Sequence, residues 1–475
     1  MLRRQPHDES TIELNGEWWL PDEADRRVAG VVRYDPTAAI QARFRGSLVS
    51  PESYYDRPNK PIDSILGLAD VGAKCTLLRN WRSRPDFWVM TPEGKKTTSQ
   101  FFEPELLVVG WHIPSSAHWR LEQVAVNYLH LEKWIGAQAF EPPRKLPLPD
   151  DEDLDNLIAL DIKAPLESLR LPSLEAELTI KHEMLAEGDP FLQLDLRHRA
   201  WIELQARGRD WFDWFYPKLL HLEGLLSLLV QQPIQARAAR AFRESDDFEF
   251  SADLFWVPAV GMTPSRIDPQ EIGFPLQEVR DILVHTIEEW FAKREVYDIP
   301  LQLYLQSFHH TGPTQTAALL GLMSAIEFLH RSTAGGEYLE NSEEFDSVFQ
   351  GILSSLPKGL DTGLRRSIED RLRYANEYVL RKRMDTIRDS LVPSVQGMLG
   401  IGSKNFWKRV VDTRNFLTHY SEGKHIHPYE DRHFPFVVYI LRRLLSLLLL
   451  RSLGIPDKTI EEGLKRSSSH WYLDA

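Results

Sequence analysis

Two hydrophobic periods divide this chain. From about residue 10 to 135, short apolar or alternating runs stop at turn residues, as in Gly30-Val31-Val32-Arg33-Tyr34 before Asp35-Pro36 and Leu106-Leu107-Val108-Val109 before Gly110. These predict strands. One helix is predicted over about 121–134, with Val124, Leu129 and Trp134 facing inward. Residues 141–153 carry Pro142, Pro143, Pro147, Pro149 and an acidic run, and read as a connector. Strands resume at about 175–185 and 191–206, the latter alternating through Leu192, Leu194 and Leu196, and a helix follows over Trp211 to Val230. Another strand is predicted over Phe248 to Val257. Residues 1–270 therefore form a β-rich region, with a break between two sub-lobes near 141–153.

From Pro275 onward the period becomes helical. Helices are predicted at about 276–294, 299–309, 314–331, 341–355, 363–390, 404–421 and 434–453, with loops over 333–344 and 391–403. The long helix 363–390 would bury Leu364, Ile368, Leu372, Ala375 and Val379 on one stripe. Its other faces carry Arg365, Arg366, Arg371, Arg373, Arg381, Lys382 and Arg383. The class is α+β: a β-rich N-terminal region, 1–270, followed by an all-α C-terminal region, 275–475. No fixed-period repeat is present.

Composition adds limits. At 475 residues there is room for two or three cores, and 43% hydrophobic with 26% charged residues is ordinary for a globular chain. Cys75 is the sole cysteine, which excludes a disulfide framework and a cysteine-based zinc site and fits a reducing, cytoplasmic setting. The first ten residues show no apolar signal-peptide core. The greasiest run, Leu444 to Leu450, is only seven residues between Arg443 and Arg451, far short of the roughly 20 that span a bilayer. It predicts a buried helix or a dimer face, and no membrane partner. The net charge of −13 argues against a general nucleic-acid coat, but it is unevenly spread. Residues 360–475 hold 20 Lys+Arg against 14 Asp+Glu, a net +6, which leaves −19 for residues 1–359. Only the C-terminal quarter has the sign that phosphates attract, although basic helix faces are often simply solvated.

One constellation makes a sharp chemical claim. Arg414-Asn415-Phe416-Leu417-Thr418-His419 spells Arg-Asn-x-x-x-His. An Arg five residues before a His is expected about 1.3 times by chance in this composition, and it occurs twice, at Arg280/His285 and Arg414/His419. With only 9 Asn in the chain, the full motif is expected about 0.03 times. Arg280 is followed by Asp281, and that copy reads as an exposed helix face. In the other copy, Asn415 and His419 share a helix face and Arg414 reaches over its edge, while Val410, Val411, Phe416 and Leu417 supply the buried stripe. Gly423 would end the helix, placing His419 in its last turn. A helix C-terminus favours the imidazolium and a nearby guanidinium opposes it, a balance suited to general acid/base work. The plainer reading is a capping His beside a solvent-facing Arg.

Other features carry less. Gly67 to Thr76 nearly spells a phosphate-binding loop, but a residue is inserted before Lys74, and a β-turn fits better. His419, His425, His427 and His433 lie close in sequence, but Glu430-Asp431 is the one carboxylate pair beside them, so loop histidines are expected and no metal or cofactor is assigned. Trp211-Phe212-Asp213-Trp214-Phe215-Tyr216 is expected in the core rather than as a base-stacking platform, and Trp18-Trp19 as a strand anchor.

The C-terminal part resembles the HEPN domain of ApeA-type proteins, at about 314–460. The resemblance rests on Leu372-Arg373-Tyr374-Ala375-Asn376-Glu377-Tyr378-x-Leu380-Arg381-x-Arg383, on Trp407 to Val411, and on Thr413-Arg414-Asn415-x-x-x-His419. The first part resembles the ApeA N-terminal domain through Leu14-Asn15-Gly16-x-Trp18-Trp19-Leu20-Pro21, Ile65-Leu66-Gly67 to Thr76-Leu77, and Val109-Gly110-x-His112. The resemblance implies a metal-independent endoribonuclease of an antiphage, abortive-infection type defence, a toxin acting as a homodimer or higher assembly with a composite site. Arg414 and His419 would then be catalytic and Asn415 orienting, with Lys408, Arg409 and Arg383 as RNA contacts. Cleavage would use the 2′-hydroxyl. Transfer RNA is a candidate substrate that no residue names, and a phage-derived trigger would act on the N-terminal region. The alternative is a non-catalytic HEPN module that binds a nucleotide or a partner. A purely structural dimerisation protein is a third reading.

Overall fold

The computed structural model describes residues 11–36, 38–49, 61–90, 96–136, 168–189, 193–243, 251–256, 267–308, 314–419 and 427–467. Two compact units result, divided between Phe291 and Ala292. The predicted connector 141–153 lies outside the described residues, as do His425, Tyr420 and Gly423.

The first unit begins with β1 (Ile12–Trp19), β2 (Val28–Tyr34), β3 (Gln41–Arg45), β4 (Ile62–Ala69), β5 (Lys74–Met90) and β6 (Lys96–Val109). They pair in the order β3-β2-β1-β4-β5-β6, and β3 returns to β6, closing a six-strand antiparallel barrel. Alternation decides which side chains enter: in β3, Ala42 and Phe44 point in while Gln41, Arg43 and Arg45 point out. Trp18 is the central plug, fully buried among Val32, Phe44, Ile65, Leu77 and Phe102. Its ring leaves no room beside Gly67, where a Cβ would lie 2.3 Å from Trp18 Cε3. The sequence Gly67 to Thr76 is the β4–β5 hairpin, with Gly72 at φ +81° and its N–H donating to Ala69 O, so the turn reading of that segment holds. Trp18 and Trp19 are strand anchors.

Closure frees half of β6 for a second task. Ser99 to Phe102 pair with β3, whereas Leu106 to Val109 pair onward with β12 (Ala252–Trp256). The sheet continues through β11 (Ala236–Phe242), β7 (Arg120–Tyr128), β10 (Gln193–Asp210), β9 (Ala176–Asp189) and β8 (Leu169–Leu171). The helix expected over 121–134 is corrected here: its first part is β7, and only α1 (Leu131–Ile135) is helical. β7 lies between β10 and β11, and six of its nine residues are fully buried. An apolar run buried on both faces has no alternation to distinguish it from a helix. Val124, Leu129 and Trp134 are nevertheless inside.

A π-helical turn over Trp211–Phe215 leads into α2 (Tyr216–Val230), which is apolar nearly all round and buried. Trp211 and Phe215 belong to the core, as expected. α3 (Leu276–Val279) and α4 (Leu283–Ala292) complete the unit. Trp290 Nε1 donates to His221 O (2.8 Å), His221 Nε2 pairs with Trp290 O (2.9 Å), and the rings stack at 4.6 Å. The helical period after Pro275 thus includes two helices that pack with the β-rich unit.

The second unit is all-helical: α5 (Arg294–Gln306), α6 (Thr314–Ala334), α7 (Ser342–Ser355), α8 (Thr362–Leu372), α9 (Leu380–Ser390), α10 (Pro393–Leu399), α11 (Lys404–His419), α12 (Phe434–Ser452) and α13 (Asp457–Arg466). α12 packs against α5, α6, α10 and α13. Among the described residues it is also the one helix long and apolar enough to cross a membrane, and most of that window is buried within its unit. Leu444, Leu445, Leu449 and Leu450 are wholly buried, so this run is core and not a dimer face.

The helix expected over 363–390 is two helices, α8 and α9, and its apolar stripe is not core. Between them the chain leaves the helix to pair with residues 336–339. Tyr378 N–H donates to Gly336 O (2.8 Å), Tyr338 N–H to Asn376 O (2.9 Å), and Glu337 and Glu377 form an antiparallel bridge. The Asn376 side chain accepts from Leu339 N–H and donates to Leu339 O, both at 2.8 Å. An amide satisfied by two backbone groups competes effectively with helix. The expected loop 391–403 contains α10, and α13 was not anticipated.

Candidate functional site

α11 carries the Arg-Asn-x-x-x-His motif in its last two turns. Phe406, Trp407, Val410 and Val411 anchor its buried side, and Phe416 and Leu417 are only half-buried near its end. Thr413 is also fully buried. Its hydroxyl donates to Arg409 O (2.7 Å) and accepts from Tyr429 N–H (2.8 Å). Asp412 accepts from His427 N–H (3.1 Å). Two side chains directly before the motif therefore hold the returning chain at 427–429 against the helix that precedes it.

Arg414 and Asn415 are half-buried on the open side of the helix, and Arg414 Nη1 donates to Asn415 Oδ1 at 3.2 Å. The guanidinium is steered by the amide beside it. His419 is the last residue of α11, one helical turn beyond Asn415 on the same face; its side chain lies outside the described atoms. Thr418 is engaged with the helix backbone, donating to Arg414 O (2.8 Å).

The expected RNA contacts divide. Lys408 is half-buried on α11. The Arg409 guanidinium lies 3.9 Å over the Tyr429 ring, an attraction that helps fix the returning segment. Burial raises the pKa of the Tyr429 hydroxyl, and Arg409 partly offsets this. Arg383 is corrected: it is 1% exposed and cannot reach a solvent ligand. Its Nε donates to Tyr378 O (3.0 Å), its Nη1 to Gly335 O and toward His330 Nδ1 (3.3 Å), and its Nη2 lies 3.7 Å from Glu377. It clamps the 335–339 and 376–378 segments together. Burial first, and then Arg383, hold His330 below its usual pKa.

Sequence reasoning missed this clamp, and missed Asp412 and Thr413 as the residues that close the loop after the motif. A Thr flanked by Asp on an otherwise apolar helix face was the available signal. Arg280 and His285 are both exposed, in agreement with the plain reading of that copy.

A β-rich unit built on a closed barrel, followed by a helical unit with this motif at the end of a bundle helix, defines a HEPN-containing protein, and the model for an Apea-like HEPN matches residues 320–459. The model for ApeA N-terminal domain 1 matches residues 13–290, more than half of the chain, and the chain belongs to the ApeA family. No curated protein and no solved structure matches it.

Proposed function

We propose that this protein is a metal-independent endoribonuclease of an antiphage, abortive-infection type defence. The observation that carries the reading is the Arg414–Asn415 pair, held together on the open face of α11 one turn before His419. The ApeA family membership supports it. His419 takes the proton of a 2′-hydroxyl, and the resulting oxygen attacks the adjacent phosphorus. The bond from phosphorus to the 5′-oxygen breaks, and that oxygen takes a proton from the imidazolium of a second motif copy in a dimer. Arg414 stabilises the charge on the transferring phosphoryl group, and Asn415 orients Arg414. The products are a 2′,3′-cyclic phosphate and a 5′-hydroxyl. RNA is the partner, with transfer RNA a candidate, and Lys408 the cation best placed to extend the contact. The β-rich unit, carrying most of the negative charge, acts as sensor or restraint.

The non-catalytic binding module remains a second reading, favoured by one observation. Arg383 is buried and Arg409 rests on Tyr429, so fewer cations line a path for RNA than the charge count implied.

Induced expression of the wild type and of His419→Ala separates the two. The nuclease reading expects arrested growth and fragmented RNA with the wild type and neither with the variant. Purified wild type should cut RNA in EDTA and leave DNA intact, and Arg414→Ala should slow cutting at least 100-fold. Intact RNA in both strains, with equal growth, would sink it.

A further inference from the structure

Helices α7 and α8 pose a problem of physical chemistry. Both are amphipathic, and neither buries a single residue. On α7 the apolar stripe is Phe345, Val348, Phe349 and Ile352; on α8 it is Leu364, Ile368 and Leu372. Val348, Ile352 and Leu364 are 46%, 40% and 50% exposed. Helices of 14 and 11 residues are marginal in water unless an apolar face is covered.

These helices form a discrete arm. The chain leaves the bundle at 336–339 and returns at 376–378, where the paired backbone, Asn376 and Arg383 pin both strands of the base. These bonds hold the base together, and the arm beyond it has no core of its own. Its sequence, 341–373, holds six acidic and five basic side chains, a balance that does not attract a nucleic acid.

The charges beside the two stripes are complementary. At 100° per residue, Glu344 and Asp346 flank the apolar face of α7, and Arg365 and Arg371 flank that of α8. All four are exposed, and none forms an ion pair among the described residues. A second copy of the chain offers the matching surfaces, α7 to the first copy's α8 and α8 to its α7. A two-fold axis needs a self-complementary patch of this kind.

We infer that the α7–α8 arm is a dimerisation element, in which the arms of two chains close a four-helix cluster around these stripes, with carboxylates of α7 facing guanidiniums of α8 in the other copy. The inference rests on the dimer required by the proposed function and names the surface that makes it.

Sedimentation of the full-length protein over a range of concentrations tests this. The wild type should be a dimer, and Val348→Glu combined with Ile352→Glu should raise the concentration for half-association at least tenfold, with unchanged circular dichroism and melting. Glu344→Arg with Asp346→Arg should also weaken association, and adding Arg365→Glu with Arg371→Glu should restore it. In a Cys75→Ser background, mixing an Ile352→Cys chain with a Leu364→Cys chain under oxidising conditions should give cross-linked dimers. A wild type that stays monomeric overturns the inference, as does cross-linking only when both cysteines occupy one chain. RNA cleavage is read separately. His419→Ala should dimerise as the wild type does; a cleaving monomer would overturn this inference and the two-copy site while leaving metal-free cleavage standing, and an inert dimer would overturn only the nuclease reading.

Discussion

The two units bury charge in different ways. In the β-rich unit, buried charges meet their opposites across strands: Arg240 lies 3.0 Å from Glu183 and 3.6 Å from Asp253, and the buried Glu203 pairs with the exposed Lys181. In the helical unit, three of the four buried arginines among the described residues bond mainly to backbone oxygens and hydroxyls, while the fourth, Arg388, pairs with Asp385 and Asp389 on its own helix. Arg383 holds Gly335 and Tyr378, Arg442 holds Ser307 at the end of α5, and Arg443 holds Leu464 near the end of α13. Burial lowers the Arg442 guanidinium to about 10, and it still faces the Phe308 ring at 4.1 Å. A sheet supplies cross-strand carboxylates in register; a helix end supplies unsatisfied carbonyls. The lesson concerns net charge. The basic excess of residues 360–475 invited a reading as phosphate-facing surface, yet part of it is internal fastening.

The contrast can be broken from either side. The largest effect is expected in the barrel, where Trp18→Ala should cost about 3–5 kcal/mol in urea denaturation, because the plug has no substitute. In the helical unit Arg383→Met should cost about 1–3 kcal/mol by orphaning the carbonyls of Gly335 and Tyr378. An Arg383 variant of unchanged stability but weakened RNA binding would restore it as a contact residue. Glu223 sharpens the comparison through pH. It is buried on α2, accepts from Ala236 N–H at 3.0 Å, and desolvation lifts its carboxyl to about 8. The folded state thus binds a proton that the unfolded state releases near its ordinary value of 4.5. Stability from this group is complete below that value and is lost as pH rises through about 8. Glu223→Gln should flatten the fall in melting temperature between pH 5 and 8, a range set by those two values. A smaller effect, about 1 kcal/mol, is expected for Thr413→Val, which removes the acceptor for Tyr429 N–H. The smallest is Arg280→Ala, within about 0.5 kcal/mol because the side chain is exposed.

Legibility in the sequence followed the range of the interactions. β2 alternates because one face is core and the other is solvent, and the turn between β4 and β5 is marked by its own glycine, so both could be read locally. β7 could not, since a strand covered on both faces loses its alternation. The break between α8 and α9 was hidden because Asn376 finds its partner 37 residues away, at Leu339. The candidate site divides along the same line. The helix, its buried Val410 and Val411, and the adjacency of Arg414 and Asn415 follow from spacing alone. The hold of Asp412 and Thr413 on residues 427 and 429 needs the chain to return.

By itself, then, the amino-acid order determined the change from strand period to helical period, the core role of Trp18 and Trp211, and the helical setting of Arg414, Asn415 and His419. These depend on neighbours a few residues apart. Tertiary structure alone decided that β6 would serve two halves of one sheet, that Arg383 would be a buried clamp, and that α7 and α8 would leave the bundle with their apolar faces open. Each of those outcomes depends on which distant segment supplies the partner for a backbone group, a charge or an apolar stripe, and local pattern carries no record of that choice.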